Sequence, residues 1–149
     1  AKIKASGVLI DYLTLHVGTA SFLPLQTDAQ QELVPPGEER YQVSSELLAR
    51  IHQVKSAGHR VIAVGTTVVR ALESAGSGLF SGQSTKLFIQ PGYQFKVIDG
   101  MITNLHQPST THLLLVQAFL SYSLINEVYN FALENNYRFL SYGDGMLLL

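Results

Sequence analysis

Apolar residues along this chain fall into short runs, divided by glycine, proline and polar clusters, and each run shows either a helical or an alternating period. Leu47, Leu48, Ile51 and Val54 share one helical face behind Ser44, whose hydroxyl suits an N-cap, and Gly58 is placed to end that helix. Val68–Ala75, Thr110–Ser121 and Leu124–Asn135 are predicted as further helices. Val8–Val17, Arg40–Val43, Arg60–Val64, Leu87–Gln90, Phe95–Ile98, Met101–Asn104 and Arg138–Tyr142 are predicted as strands, with Arg60–Val64 buried. Asp99-Gly100 carries a two-residue hairpin signal between two of them. Thr19–Pro36, with three prolines, and the Gly/Ser-rich stretch Gly76–Ser84 are predicted loops, the first long enough to be functional. Ala1–Ser6 has the form of a helix ending: Lys2 and Lys4 meet the negative end of the dipole, and Gly7 follows as a left-handed stop. A chain that opens on a helix ending is expected to continue upstream.

Alternating strands and helices with one hairpin predict an α/β fold, a mixed β-sheet flanked by helices, in one domain over residues 1–149. Apolar residues make up 46% of the chain, enough for a core, and the net charge of −1 lacks the basic excess of a dedicated nucleic-acid binder. No internal repeat is visible. With no cysteine, disulfides, thiolate metal sites and cysteine nucleophiles are excluded. No apolar run approaches the ~20 residues of a membrane span. The expectation is a soluble, cytoplasmic protein.

Candidate chemistry gathers at predicted strand ends, where open α/β sheets bind ligands. Gly65-Thr66-Thr67 joins a strand to a helix. Backbone N–H groups and the helix N-terminus would suit an anion there, and an ordinary capped turn is the plainer alternative. Arg70 and Glu73 share a helical face, as a surface ion pair or as an anion-holding Arg fixed by Glu73. His16, just before Gly18, and His106 both follow strands and could exchange a proton near neutral pH or serve as structural hydrogen-bonders. Tyr142-Gly143-Asp144-Gly145 is an Asx turn or a ribose- or cation-binding turn, and Tyr93 after Pro91-Gly92 offers a stacking face. The histidines show no metal-binding spacing, and His52, His59 and His112 fall on helices or their ends.

Four stretches in order, TLHVG (14–18), VIAVGTT (61–67), IQPGYQFKVIDGMITNLH (89–106) and YRFLSYGDGML (137–147), resemble the C-terminal portion of the S-adenosylmethionine:tRNA ribosyltransferase-isomerase family. The resemblance covers essentially the whole chain. It implies part of that family's α/β domain without its inserted β-barrel domain. The implied activity is transfer and isomerisation of the ribosyl group of S-adenosylmethionine onto 7-aminomethyl-7-deazaguanine at the tRNA wobble position, giving epoxyqueuosine in queuosine biosynthesis. S-adenosylmethionine would be the ribosyl donor, with no metal, tRNA the partner, and the complete enzyme a monomer. Carried onto this sequence, His16, Glu39, His106 and Asp144 become catalytic candidates. Gly18, Gly65, Thr66, Thr67, Arg70, Glu73, Tyr93, Asn104, Tyr142 and Gly143 become substrate-binding candidates.

The sequence departs from the family pattern at several positions. Ala20 and Ser21 replace a usual Gly and Thr, and Pro36 and Gly37 stand where a Met-His pair is usual. Lys86 replaces an Asp and Ser109 a Lys. These changes define an alternative: a diverged, non-catalytic relative that binds a nucleotide or RNA.

Overall fold

A computed structural model describes residues 2–18, 24–76 and 84–149. In chain order the elements are α1 (Lys2–Ala5), β1 (Thr14–His16), β2 (Glu39–Gln42), α2 (Ser45–Ser56), β3 (Ile62–Val64) and α3 (Thr66–Gly76). They continue as β4 (Ser84–Thr85), β5 (Gly100–Asn104), α4 (Thr111–Gln117), α5 (Tyr122–Glu134) and β6 (Gly145–Leu148). The fold is α/β, as expected, with the strands divided between two small sheets.

One sheet, β1-β2-β4, is antiparallel, and the other, β3-β5-β6, is mixed. In the second, β3 runs parallel to β5 and β6 runs antiparallel to it. Helix α3 touches strands of both sheets. It is the most deeply buried helix, with Val69, Ala71, Leu72 and Ala75 packed against Tyr41, Ala63, Met101 and Leu148. The helix ends follow the expected chemistry. Ser44, Thr110 and Ser121 each accept a backbone N–H from the third residue on, and Gly58 takes φ 76° after α2.

Five strand expectations are corrected. Val8–Val17 contributes only Thr14–His16, because β2 offers partners only there; Val8, Leu9 and Tyr12 lie exposed. Arg60–Val64 is not a buried strand: in β3 only Ala63 is buried, since α3 covers one face of its sheet alone. Leu87–Gln90 is irregular; the neighbouring strand is Ser84–Thr85, and the Leu87 N–H turns back to Thr85 Oγ1. Phe95–Ile98 is also irregular, because the N–H groups of Lys96, Val97 and Ile98 go to the Glu73 carboxylate rather than to a neighbouring strand. Arg138–Tyr142 is a turn, closed by Arg138 and Asp144, and the last strand comes after it.

The expected hairpin is absent for the same kind of reason. Asp99 acts as a clamp, accepting Val61 N–H at 2.8 Å and Lys55 Nζ at 2.7 Å. It thereby ties α2 to the start of β3, and β5 then pairs parallel with β3. Most of the predicted 76–84 loop lies outside the described residues. Among the described residues, no helix is long and apolar enough to cross a membrane.

Candidate active site

Because β3 and β5 are parallel and β6 is antiparallel, three chain segments meet at one sheet edge: Gly65 after β3, His106 after β5, and Asp144 before β6. Gly65 takes φ 97°, which costs glycine little, and its N–H donates to Ile102 O at 2.8 Å. This pins the β3–α3 turn to β5. Thr66 and Thr67 then open α3 beside a cleft that is also lined by Pro36, Arg70, Phe88, and Thr111 and His112 of α4.

Arg70 reaches from α3 to Glu39 at the start of β2, with Nη1 2.5 Å from Oε2. The other Glu39 oxygen accepts the Gly18 N–H at 2.8 Å. Both side chains are nearly excluded from water, at 10% and 1% exposure. Burial draws the Arg70 pKa down, and Glu39 pulls it back toward the charged form. This carboxylate therefore joins the end of β1, the start of β2 and the sheet-edge helix into one unit. Glu39, which helical spacing did not indicate, is thus an ion-pair partner of Arg70.

Glu73 instead faces the 93–98 segment one helical turn further on. Its Oε1 accepts Val97 and Ile98 N–H at 3.0 and 3.1 Å, and its Oε2 accepts Lys96 N–H at 2.9 Å and the Tyr93 hydroxyl at 3.2 Å. Burial first, then Glu73, pushes the Tyr93 hydroxyl up to about 12. Tyr93 packs its ring edge-to-face on Phe95 at 5.2 Å. Glu73 and Tyr93 thus brace the core helix.

His106 is held on three sides. Its Nε2 lies 2.7 Å from Thr103 Oγ1, its backbone N–H donates to the Tyr129 hydroxyl at 3.0 Å, and its ring stacks on His112 at 5.2 Å. Burial, and then the neighbouring His112, draw its pKa down to about 4. The His112 pKa is also lowered, by burial first and then by Arg70, against an opposing pull from Glu39. His112 is the group sequence reasoning missed. Its position six residues beyond a strand-end histidine, at a helix start behind a capping Thr110, was the available signal.

A pH dependence follows. The folded-state pKa of His106 lies below the ordinary value of 6.5, so its contribution to stability is complete above that value. It is lost as pH falls toward about 4, because the unfolded chain takes up the proton first. Urea midpoints measured between pH 7 and 4 should fall more steeply for the native chain than for His106→Gln. Parallel slopes would contradict the burial of a neutral ring.

The remaining candidates lie around this centre. His16 ends β1, exposed, opposite Arg40 and two residues before Gly18. Asn104 Nδ2 contacts Asp144 O at 3.4 Å. Asp144 Oδ2 accepts the Arg138 N–H at 2.7 Å, so its carboxylate closes a local turn. A Cβ at Gly143 would collide with the Arg138 and Phe139 carbonyls, which gives that glycine a steric reason. Tyr142 is 98% exposed. Among the departures from the family pattern, Pro36 is buried in the cleft, and Lys86 and Ser109 are exposed. Ala20 and Ser21 lie outside the described residues. Among the described residues, no group of three His, Cys, Asp or Glu is placed to hold a metal ion.

The sequence model of a family described as queuosine biosynthesis protein matches residues 1–148. The chain belongs to this family. It is 46% identical to an S-adenosylmethionine:tRNA ribosyltransferase-isomerase from Halothermothrix orenii, covering 99% of this chain and 44% of the relative. It is also 46% identical to one from Legionella pneumophila strain Corby, covering 100% of this chain and 45% of that protein. The crystal structure of S-adenosylmethionine tRNA ribosyltransferase from Thermotoga maritima superposes with a TM-score of 0.79 at 37% identity, over 99% of this chain and 47% of that one. The chain thus spans a little under half the length of these relatives and corresponds to the C-terminal portion of the family.

Proposed function

We propose that this chain supplies part of the catalytic centre for ribosyl transfer from S-adenosylmethionine to tRNA. The acceptor is 7-aminomethyl-7-deazaguanine at the wobble position, and the product is epoxyqueuosine. The observation carrying this reading is the meeting of Gly65–Thr67, the Arg70–Glu39 pair and the His106–His112 stack at one sheet edge. Membership of a queuosine biosynthesis family, and the names of its relatives, support this reading.

In this reading the β3–α3 turn receives an anionic group of donor or tRNA, with the backbone N–H groups of the first turn of α3 and the Thr67 hydroxyl as donors. Arg70 adds positive charge beneath that turn, and Glu39 fixes its fork. His106 is neutral at physiological pH. A conjugate acid of pKa about 4 is a weak base and is scarcely populated as an acid at pH 7, so His106 acts as a hydrogen-bonding group that orients substrate. Proton transfer to departing adenine, and removal of the proton beside sulfur, then fall to other groups, with Asp144, just before β6, and His16, at the end of β1, as candidates.

The buried Pro36 and the exposed Lys86 and Ser109, at positions where the family usually carries other side chains, favour a second reading as a non-catalytic nucleotide- or RNA-binding relative. One experiment separates the two. This chain is spliced in place of the matching portion of the Halothermothrix orenii relative and incubated with S-adenosylmethionine and precursor tRNA. Ribosyl transfer predicts adenine release in step with incorporation of the sugar into tRNA. Binding of tRNA and donor without adenine release would establish the second reading instead.

A further inference from the structure

Among the described residues, Tyr142 is the most exposed of the large apolar side chains, at 98%. Its backbone, by contrast, is tightly held. Within the turn, the Gly143 N–H donates to Leu140 O at 2.9 Å and the Asp144 N–H to Arg138 O at 2.7 Å. The Asp144 carboxylate closes the turn from the other side by accepting the Arg138 N–H. Further bonds tie the turn to Leu105, the chain neighbour of His106: Leu140 N–H to Leu105 O at 2.9 Å, and Leu105 N–H to Asp144 O at 3.4 Å. Gly143 has no room for a side chain, since a Cβ there would lie 2.2 Å from Arg138 O. The turn therefore holds one aromatic ring out in solvent at the sheet edge, on a backbone with little freedom to withdraw it. Scattered exposed apolar residues need no explanation. A ring on a braced backbone differs from them, because only its side-chain torsions remain to be fixed when a flat partner stacks on it.

We propose that Tyr142 is the stacking platform for the acceptor base, the deazaguanine ring at the tRNA wobble position, turned out of its loop. The inference rests on the ribosyl-transfer reading above and assigns the acceptor its own place in it. Single-stranded RNA is recognised through unstacked bases laid on aromatic side chains. Tyr93, the other aromatic that the sequence offers for this role, is occupied: Glu73 holds its hydroxyl and its ring packs edge-to-face on Phe95. The other flat ring of the reaction, the adenine of the donor, belongs with the β3–α3 cleft, and Tyr142 is not among the residues lining that cleft. Arg138 stands on the same turn with its side chain 76% exposed and its Nε loosely paired to Asp144 at 3.8 Å. It supplies a cation for a phosphate flanking the stacked base.

The test is equilibrium binding to the spliced protein described above, with two probes: precursor tRNA, and the same tRNA lacking the base at the wobble position. Tyr142→Ala should weaken binding of precursor tRNA by about tenfold or more, and Tyr142→Phe, which keeps the ring, should recover most of it. Affinity for S-adenosylmethionine and the Tm should stay as in the unsubstituted protein. Removing the base should cost the unsubstituted protein the same factor, while Tyr142→Ala should bind the two tRNAs equally, because ring and base form one contact. Undiminished binding of precursor tRNA by Tyr142→Ala overturns the proposal. So do losses that add when the ring and the base are both removed, which put the ring on another base. A loss of donor affinity overturns it in favour of a donor contact, and a Tm lower by about 3 °C or more in favour of a ring packed within the protein. Binding is read without catalysis, so the stacking can hold where adenine release fails, and fail where adenine release holds.

Discussion

Glu73→Ala should lower the unfolding free energy by about 3–5 kcal/mol, a large share of the 5–15 kcal/mol typical of a folded domain. One carboxylate takes three successive backbone N–H groups and a phenol, and Val97 and Ile98 are buried. Its removal leaves buried donors without an acceptor and opens space beside the core helix. Glu73→Gln should recover part of the loss, because an amide oxygen can still accept, while its NH₂ group faces donors. Urea unfolding reads the stability, and tyrosinate absorbance reads the contact. The Tyr93 hydroxyl, pushed up to about 12 in the native protein, should titrate lower in Glu73→Gln, with burial still holding it above ordinary tyrosines. A loss below about 1 kcal/mol for Glu73→Ala would mean that the 93–98 segment finds other partners.

Arg70→Ala should be nearly as severe, at about 3–5 kcal/mol, because it leaves the Glu39 carboxylate charged in a site almost closed to water. Stability and ligand contact are therefore entangled at this residue, and a double substitution separates them. Arg70→Met with Glu39→Gln removes both charges while keeping an acceptor for the Gly18 N–H. It should restore most of the stability. In the spliced enzyme it should not restore donor binding if Arg70 acts on an anionic group. Full recovery of both would reduce the pair to a structural bolt joining β1, β2 and α3.

The sequence was most legible where a local rule decides the outcome. Ser44, Thr110 and Ser121 cap helices through their own hydroxyls, Gly58 stops α2, and Gly65 makes the β3–α3 turn. It was least legible where a distant side chain captures backbone. Phe95–Ile98 has strand composition, but Glu73 takes its N–H groups. Asp99-Gly100 looks like a hairpin turn, but Lys55 and Val61 hold Asp99. For Arg70, helical spacing pointed to Glu73, while packing brought Glu39 to it from another strand, a contact no local spacing shows. His112 had no motif of its own and gained its place only when α4 laid it against His106. The order of the four family stretches carried more about function than any of these spacings, and the sheet register explains why they belong together.

The site itself is tested most directly by where S-adenosylmethionine binds. Backbone and histidine NMR resonances should be followed as the donor is titrated into the protein. The account predicts shifts centred on Gly65, Thr66, Thr67, Arg70, His106 and His112, reduced in Arg70→Met/Glu39→Gln. Shifts confined to the Tyr142–Asp144 turn or to the Tyr93 region, or none at donor concentrations that saturate a full-length relative, would contradict it.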